Sequence, residues 1–217
     1  MKIIVVNFKA YKSAIGKNAV RLAKLHDRIA RKYNVKIIVA VQAADIANVA
    51  KNVRRVDVIG QHVDGNDYGQ HTGSVLAEDL KQNGAKGSLV NHAEKRIKIG
   101  MIKKIIARCK KLGMYAIVCV PSIKQAKIVA RYKPKYIAYE VPSLIGTGRP
   151  ISRVRPRDVK IFAREMRKRK IIPLCGAGIN NGEDVRIAIE LGCKGVLLAS
   201  AVTTAKNPGK VLRDLAK

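Results

Sequence analysis

A carboxylate, an imidazole and an ammonium each stand where a short apolar run stops. Glu140 follows Lys135-Tyr136-Ile137-Ala138-Tyr139, His92 follows Lys86-Gly87-Ser88-Leu89-Val90-Asn91, and Lys9 lies two residues beyond Asn7, which ends the first run. A carboxylate delivered to a rim is a candidate general base. A neutral imidazole can donate a hydrogen bond to a carbonyl, and an ammonium attracts a phosphorylated substrate. The segment Ala93-Glu94-Lys95-Arg96 predicts a helix start after His92, whose dipole would oppose a protonated ring and keep it neutral. Each residue also has a plain reading: a strand-end glutamate paired with one of the 44 Lys and Arg, a packed or capping histidine, a surface lysine.

Two further run ends are built from small residues, Gly176-Ala177-Gly178 after Ile171–Cys175 and Ala199-Ser200 after Lys194–Leu198. Small residues let backbone N–H groups approach a dianion, and a following helix start adds a favourable dipole. A plain turn is the alternative for either. A dinucleotide fingerprint would need Gly where Asn181 stands, and neither a Walker loop nor H-E-x-x-H occurs. The histidines (His26, His62, His71, His92) show no metal-ligand spacing, so neither a metal nor an organic cofactor is expected. Cys109, Cys119, Cys175 and Cys193 stand singly and are expected to be buried free thiols, not disulfides or zinc ligands.

Eight apolar or β-branched runs must position these groups: residues 2–6, 35–41, 56–61, 86–90, 114–120, 135–139, 171–174 and 194–198. Most are apolar at successive positions, which predicts strands covered on both faces and so a parallel sheet. Helical spacing appears between them, as in Ala19, Leu22, Ala23, Leu25 and Ile29, or Ile102, Ile105 and Ile106. Eight uninterrupted βα units favour a closed barrel over an open doubly wound sheet, and a barrel carries its functional groups at the carboxyl ends of its strands. The second-to-third and fifth-to-sixth intervals leave room only for short helices, so some outer helices should be clipped. No linker divides the chain, and one α/β domain over residues 1–217 is expected. The apolar stretch at Ile3–Val6 is too short for a signal or a membrane span, which predicts a soluble, cytoplasmic protein.

The formal net charge is +29. A surface this basic suits nucleic acid or the steering of anionic small molecules. The positive residues are spread over helical segments and only 4% of residues are aromatic, so solvated helix faces are favoured over a nucleic-acid groove.

Taken together, Asn7-Phe8-Lys9, Asn91-His92-Ala93-Glu94, Ala138-Tyr139-Glu140 and Ile145-Gly146-Thr147-Gly148 occur in the order seen in triosephosphate isomerases. Gly60–Asp64, Gly69–Gly73, Cys175–Ile179, Gly182–Val185 and Leu197–Ser200 resemble the short archaeal branch, and the likeness covers nearly the whole chain. The resemblance implies a single (β/α)8 TIM barrel that interconverts D-glyceraldehyde 3-phosphate and dihydroxyacetone phosphate through an enediol, in glycolysis and gluconeogenesis, as a homodimer or homotetramer. It implies Glu140 as base, His92 as electrophile and Lys9 as charge partner. Asn7 would orient His92 and substrate, and Phe8 would belong to the substrate site. Glu94 would pair with Lys9, and Thr72 would reach across a dimer interface. Phosphate would rest near Ile145, Gly146, Ser152, Gly178, Ala199 and Ser200, under a lid from Val141 to Gly148. This chain departs from the pattern at Ala93, where serine is usual, at Val141, where proline is usual, and at Ser143, where archaeal relatives carry glutamate. Other phosphate-binding barrels share loops after strands seven and eight but do not require the lysine, histidine and glutamate together.

Overall fold

A strand that is apolar at successive positions needs cover on both faces, and a closed barrel inside a shell of helices supplies it. The computed structural model describes all 217 residues. Eight strands form the barrel: β1 (Ile3–Asn7), β2 (Lys36–Val41), β3 (Asp57–Gly60), β4 (Gly87–Val90), β5 (Tyr115–Val120), β6 (Tyr136–Tyr139), β7 (Ile172–Gly176) and β8 (Gly195–Leu198). Each pairs in parallel with its sequence neighbours and β8 closes on β1, Ile3 lying opposite Gly195. Every predicted run overlaps one strand, and the ends agree to within two residues.

The helices are α1 (Lys17–Tyr33), α2 (Ile46–Lys51), α3 (Ala77–Gln82), α4 (Ile99–Lys111), α5 (Ile123–Ala130), α6 (Ile151–Val154), α7 (Pro156–Lys168), α8 (Gly182–Glu190), α9 (Ser200–Thr203) and α10 (Pro208–Ala216). The clipped helices fall where the short intervals placed them, α2 after β2 and α5 after β5; α3, after β3, is as short as α2. Inside the barrel Val5, Ile38, Ile59, Leu89, Ile117, Leu174 and Leu197 pack together, while the opposite strand faces join the helices in the larger outer core. A polar cluster lies at the floor of the barrel interior. Lys36 Nζ sits 2.6 Å from Asp57 Oδ2, to which Tyr115 Oη also donates at 2.8 Å. All four cysteines are buried free thiols.

Helix α1 buries Ala19, Leu22, Ala23, His26, Ile29 and Ala30, a stripe at three- and four-residue spacing, and stops at Asn34 in the left-handed conformation. His26 is fully enclosed against Phe8, with ring centroids 5.4 Å apart, Nδ1 2.8 Å from the Leu22 carbonyl oxygen and Nε2 without a partner. Burial pushes its pKa down to about 4, and the Leu22 carbonyl opposes this only in part. On acidification the unfolded chain protonates His26 from about pH 6.5, whereas the folded chain resists until about pH 4. This contribution to stability is therefore complete above about pH 6.5 and is lost toward pH 4, by about 3 kcal/mol in all. Urea midpoints should fall further for the wild type than for His26→Leu between about pH 7 and about pH 5, and equal falls would refute the assignment.

Candidate active site

The carboxyl ends of the strands surround a cavity of about 190 Å3, lined by Asn7 and Lys9 from the end of β1, His92 after β4, Glu140 after β6, and the loops after β7 and β8. Three of the six non-glycine residues with positive φ stand at this mouth: Lys9 (48°), Asn91 (61°) and Ala177 (71°). Such backbone persists only where its surroundings over-determine it.

At Lys9 those surroundings can be named. Its N–H donates to Asn7 Oδ1 at 3.0 Å, and Gln61 Nε2 donates to its carbonyl at 2.9 Å, with Gln42 Nε2 at 3.4 Å. The ammonium reaches Glu94 Oε1 at 2.5 Å and is the only Lys or Arg side chain lining the cavity.

Asn91 turns the chain after β4 through two side-chain bonds: Nδ2 donates to the Cys119 carbonyl at 2.8 Å, and Oδ1 accepts the Ile97 N–H at 3.1 Å. This loop overturns the predicted helix start at Ala93, since α4 begins only at Ile99. No helix dipole acts on His92. Its protonation pattern is set instead by the Glu94 N–H, which lies 3.2 Å from Nδ1 and donates to it. A nitrogen that accepts carries no hydrogen, so the ring proton is on Nε2. Nε2 faces Glu140 Oε1 at 3.8 Å, a gap too wide for a direct hydrogen bond.

Glu140 hangs its N–H on the Val120 carbonyl at 2.9 Å, and its side chain is buried with Oε2 unpaired. Two neighbours shape its berth. A Cβ at Gly176 would lie 2.6 Å from Glu140 Cγ, so the missing side chain on β7 makes room for the carboxylate. Cys119 on β5 lies beside it, and burial, then the Glu140 charge, pushes that thiol above its ordinary pKa.

Opposite His92 and Glu140, the N–H groups of Gly146, Gly178 and Ser200 find no acceptor within the protein. All three residues line the cavity, together with Ile145 and Ala199. Free amides converging at a helix start are an anion site. Gly178 is in the left-handed region at φ 73°, and a Cβ there would run into the Arg149 carbonyl, so only glycine lets the Gly148–Pro150 segment pass. Asn180 fastens that segment to the turn after β7: its Nδ2 donates to Gly148 O at 2.8 Å and Gly178 O at 2.7 Å.

Lys9, His92, Glu140, Asn7, Ile145, Gly146, Gly178, Ala199 and Ser200 thus meet at one mouth, with Glu94 beside them. Phe8 does not: it is fully buried against His26, because residues on a strand alternate and Asn7 takes the inward place. Ser152 is buried in α6 with its hydroxyl unpaired and does not line the cavity. Thr72 lies exposed in the loop between β3 and α3. Sequence reasoning assigned no role to Gln61, Cys119 or Asn180. Gln61 ends the third run, but its task is to hold the Lys9 carbonyl two strands back, after β1, which no local pattern displays.

A family model described as triosephosphate isomerase matches residues 2–215. The chain is 46% identical to the triosephosphate isomerase of Methanothermus fervidus over 98% of its length and 96% of that protein's. It is 42% identical to the one from Methanocaldococcus jannaschii over 99% of each. A crystal structure of triosephosphate isomerase from Bartonella henselae superposes with a TM-score of 0.73 at 17% identity, covering 93% of each chain, a likeness of fold. A barrel that seats an ammonium, an Nε2-protonated imidazole and a buried carboxylate around one ring of free amides thus agrees with what its sequence relatives are, and the chain belongs to the triosephosphate isomerase family.

Proposed function

We propose that this cavity interconverts D-glyceraldehyde 3-phosphate and dihydroxyacetone phosphate, with Glu140 as base, His92 as electrophile and Lys9 as the opposing positive charge. Glu140 takes a proton from the carbon beside the carbonyl, and the electron pair moves onto the carbonyl oxygen as the enediolate forms. His92 Nε2–H donates to that oxygen; a glutamate base beside a neutral histidine is the established pairing of this family. His92 then passes the remaining hydroxyl proton from the neighbouring oxygen to the former carbonyl oxygen, Glu140 returns its proton to the neighbouring carbon, and the carbonyl re-forms there, with no net redox change and no cofactor required. Amides of Gly146, Gly178 and Ser200 hold the phosphate. The lid from Val141 to Gly148, tied down at its far end by Asn180, keeps water from the intermediate, a role this family is known for.

The observation that carries this reading is the 3.8 Å separation of His92 Nε2 from Glu140 Oε1 at the wall of a cavity that also holds Lys9. Substrate turnover in deuterated water tests it. A base that exchanges its proton with solvent leaves deuterium on the product carbon, and isomerisation absent from purified wild-type protein would end the proposal.

The reading extends to a homodimer or homotetramer. Beside Lys9 lies a second cavity of about 310 Å3 that also touches Gln42, Gln61, His62 and Glu94. The loop carrying Thr72 projects from the barrel, with Tyr68 69% exposed, and Thr72 of a second copy is the group we assign to that cavity. Light scattering of wild type and of a variant with this loop shortened checks it, and an unchanged mass would refute the contact. No helix is long and apolar enough to cross a membrane. A cytoplasmic location in glycolysis and gluconeogenesis is the setting this activity suits.

A further inference from the structure

The active site uses few of this chain's cations. Of 44 Lys and Arg, eight form an ion pair with a carboxylate. Others are ordered by the fold itself, and among the floor lysines only Lys36 has a carboxylate partner, Asp57. On the barrel floor, opposite the active site, Lys2, Lys36, Lys86, Lys135 and Lys194 each stand at or just before the start of a strand. Backbone hydrogen bonds carry this row around the floor. Tyr115 N–H donates to Lys86 O, Ile172 N–H to Lys135 O, Ile3 N–H to Lys194 O and Lys36 N–H to Lys2 O, each at 3.1 Å.

Within the row, the ends of α4, α5 and α7 leave a groove of about 420 Å3 that Lys110, Lys133, Lys135 and Lys170 surround without a carboxylate. Each of four other cavities includes at least one Asp or Glu. Two of these lysines are placed at a cost. Lys133 (φ 53°) and Lys170 (φ 58°) hold the left-handed conformation in the turns after α5 and α7, where Asn34, Gly84, Gly113 and Gly192 serve after α1, α3, α4 and α8. Glycine or asparagine adopts that conformation with less strain. A cation near a helix carboxyl end also complements the dipole, but Arg167 and Lys168 already occupy the last turn of α7. Two others are held in position: Lys135 Nζ lies 4.9 Å from the Tyr115 ring centre, and Lys110 Nζ donates to the Tyr132 carbonyl at 3.1 Å.

We propose that this floor groove binds the phosphodiester backbone of nucleic acid without reading its bases. Neighbouring strands are ~4.8 Å apart, so the lysine row from β4 to β8 follows on the order of 20 Å of arc, half the rim of the closed barrel, which suits a polyanion able to run along a surface better than a compact one. The apolar residues of the groove, Ile106, Met114 and Ala116, are buried, leaving nothing to insert into a lipid surface. Its ring, Tyr115, is already occupied by Tyr136 and Lys135, so binding rests on charge and not on stacking.

Fluorescence anisotropy of a short mixed-sequence DNA duplex, titrated at several salt concentrations, tests this. The quadruple variant Lys110→Gln, Lys133→Asn, Lys135→Gln, Lys170→Asn should bind at least about tenfold more weakly at low salt, and its slope of log affinity against log salt should be shallower by about three. A control variant with Arg21, Lys24, Arg28 and Arg31 of α1 changed to Gln removes the same charge from another face and should bind nearly as the wild type does. Isomerase turnover in both reports that the barrel is intact. Equal losses in the two variants would overturn the groove in favour of diffuse charge. No wild-type binding at low salt, or capture by phosphatidylserine vesicles without duplex binding, would overturn the proposal itself.

Discussion

Glu140→Gln is expected to lower kcat about a thousandfold or more while leaving KM within a few-fold of the wild type. Glutamine has the same shape, fits the berth opened by Gly176 and keeps the Glu140 N–H on the Val120 carbonyl, so the barrel should fold as before. What it lacks is an oxygen able to take and return a proton. Glu140→Asp separates chemistry from placement: it keeps the carboxylate but withdraws it by about one bond length, ~1.5 Å. A displacement of about 1 Å at a reacting group costs on the order of a hundredfold, so Asp should fall between wild type and Gln. Gly176→Ala should resemble Asp, because its new methyl group would stand 2.6 Å from Glu140 Cγ and push the base aside. Steady-state kinetics alongside thermal melts would check all three, and full activity in the Gln variant would remove Glu140 from its role.

The second large effect is expected at Lys9. It is the only Lys or Arg side chain lining the cavity, so in the proposed reaction it would face the phosphate dianion and then the enediolate. Lys9→Met keeps the length of the side chain and removes the charge. A loss of about a hundred- to a thousandfold in kcat/KM follows, in both KM and kcat, since the charge is needed in the bound state and more so in the transition state. Part of that loss is repulsion by Glu94, which loses its 2.5 Å partner. Adding Glu94→Gln to Lys9→Met should therefore recover some affinity for a phosphorylated inhibitor. Unchanged inhibitor affinity in the single variant would refute the electrostatic role.

The sequence made the barrel and its chemical groups readable for different reasons. Strands such as Ile171–Cys175 are legible because burial on both faces demands consecutive apolar residues, and that demand is local. Glu140, His92 and Lys9 are legible because they interrupt such runs where a barrel opens. The turn after His92 looks like a helix start because Ala93–Arg96 has helix-forming composition, but Asn91 binds the Cys119 carbonyl and the Ile97 N–H and delays the helix to Ile99. Those bonds join separate stretches of chain. Phe8 lies outside the site for a related reason: strand parity decides which of two neighbours faces inward, and the run alone does not reveal it. Val141, in place of the usual proline, holds φ at −80°, close to the proline value, so the backbone there keeps its shape without the ring.

Glu94 performs two tasks with two different parts of itself. Its carboxylate answers the Lys9 ammonium, and its amide decides which nitrogen of His92 bears hydrogen. Almost any replacement would abolish the first task and spare the second, because every residue but proline carries that amide. A lineage could thus lose the acid at this position, adjust its pull on anions gradually, and still inherit a histidine poised the same way.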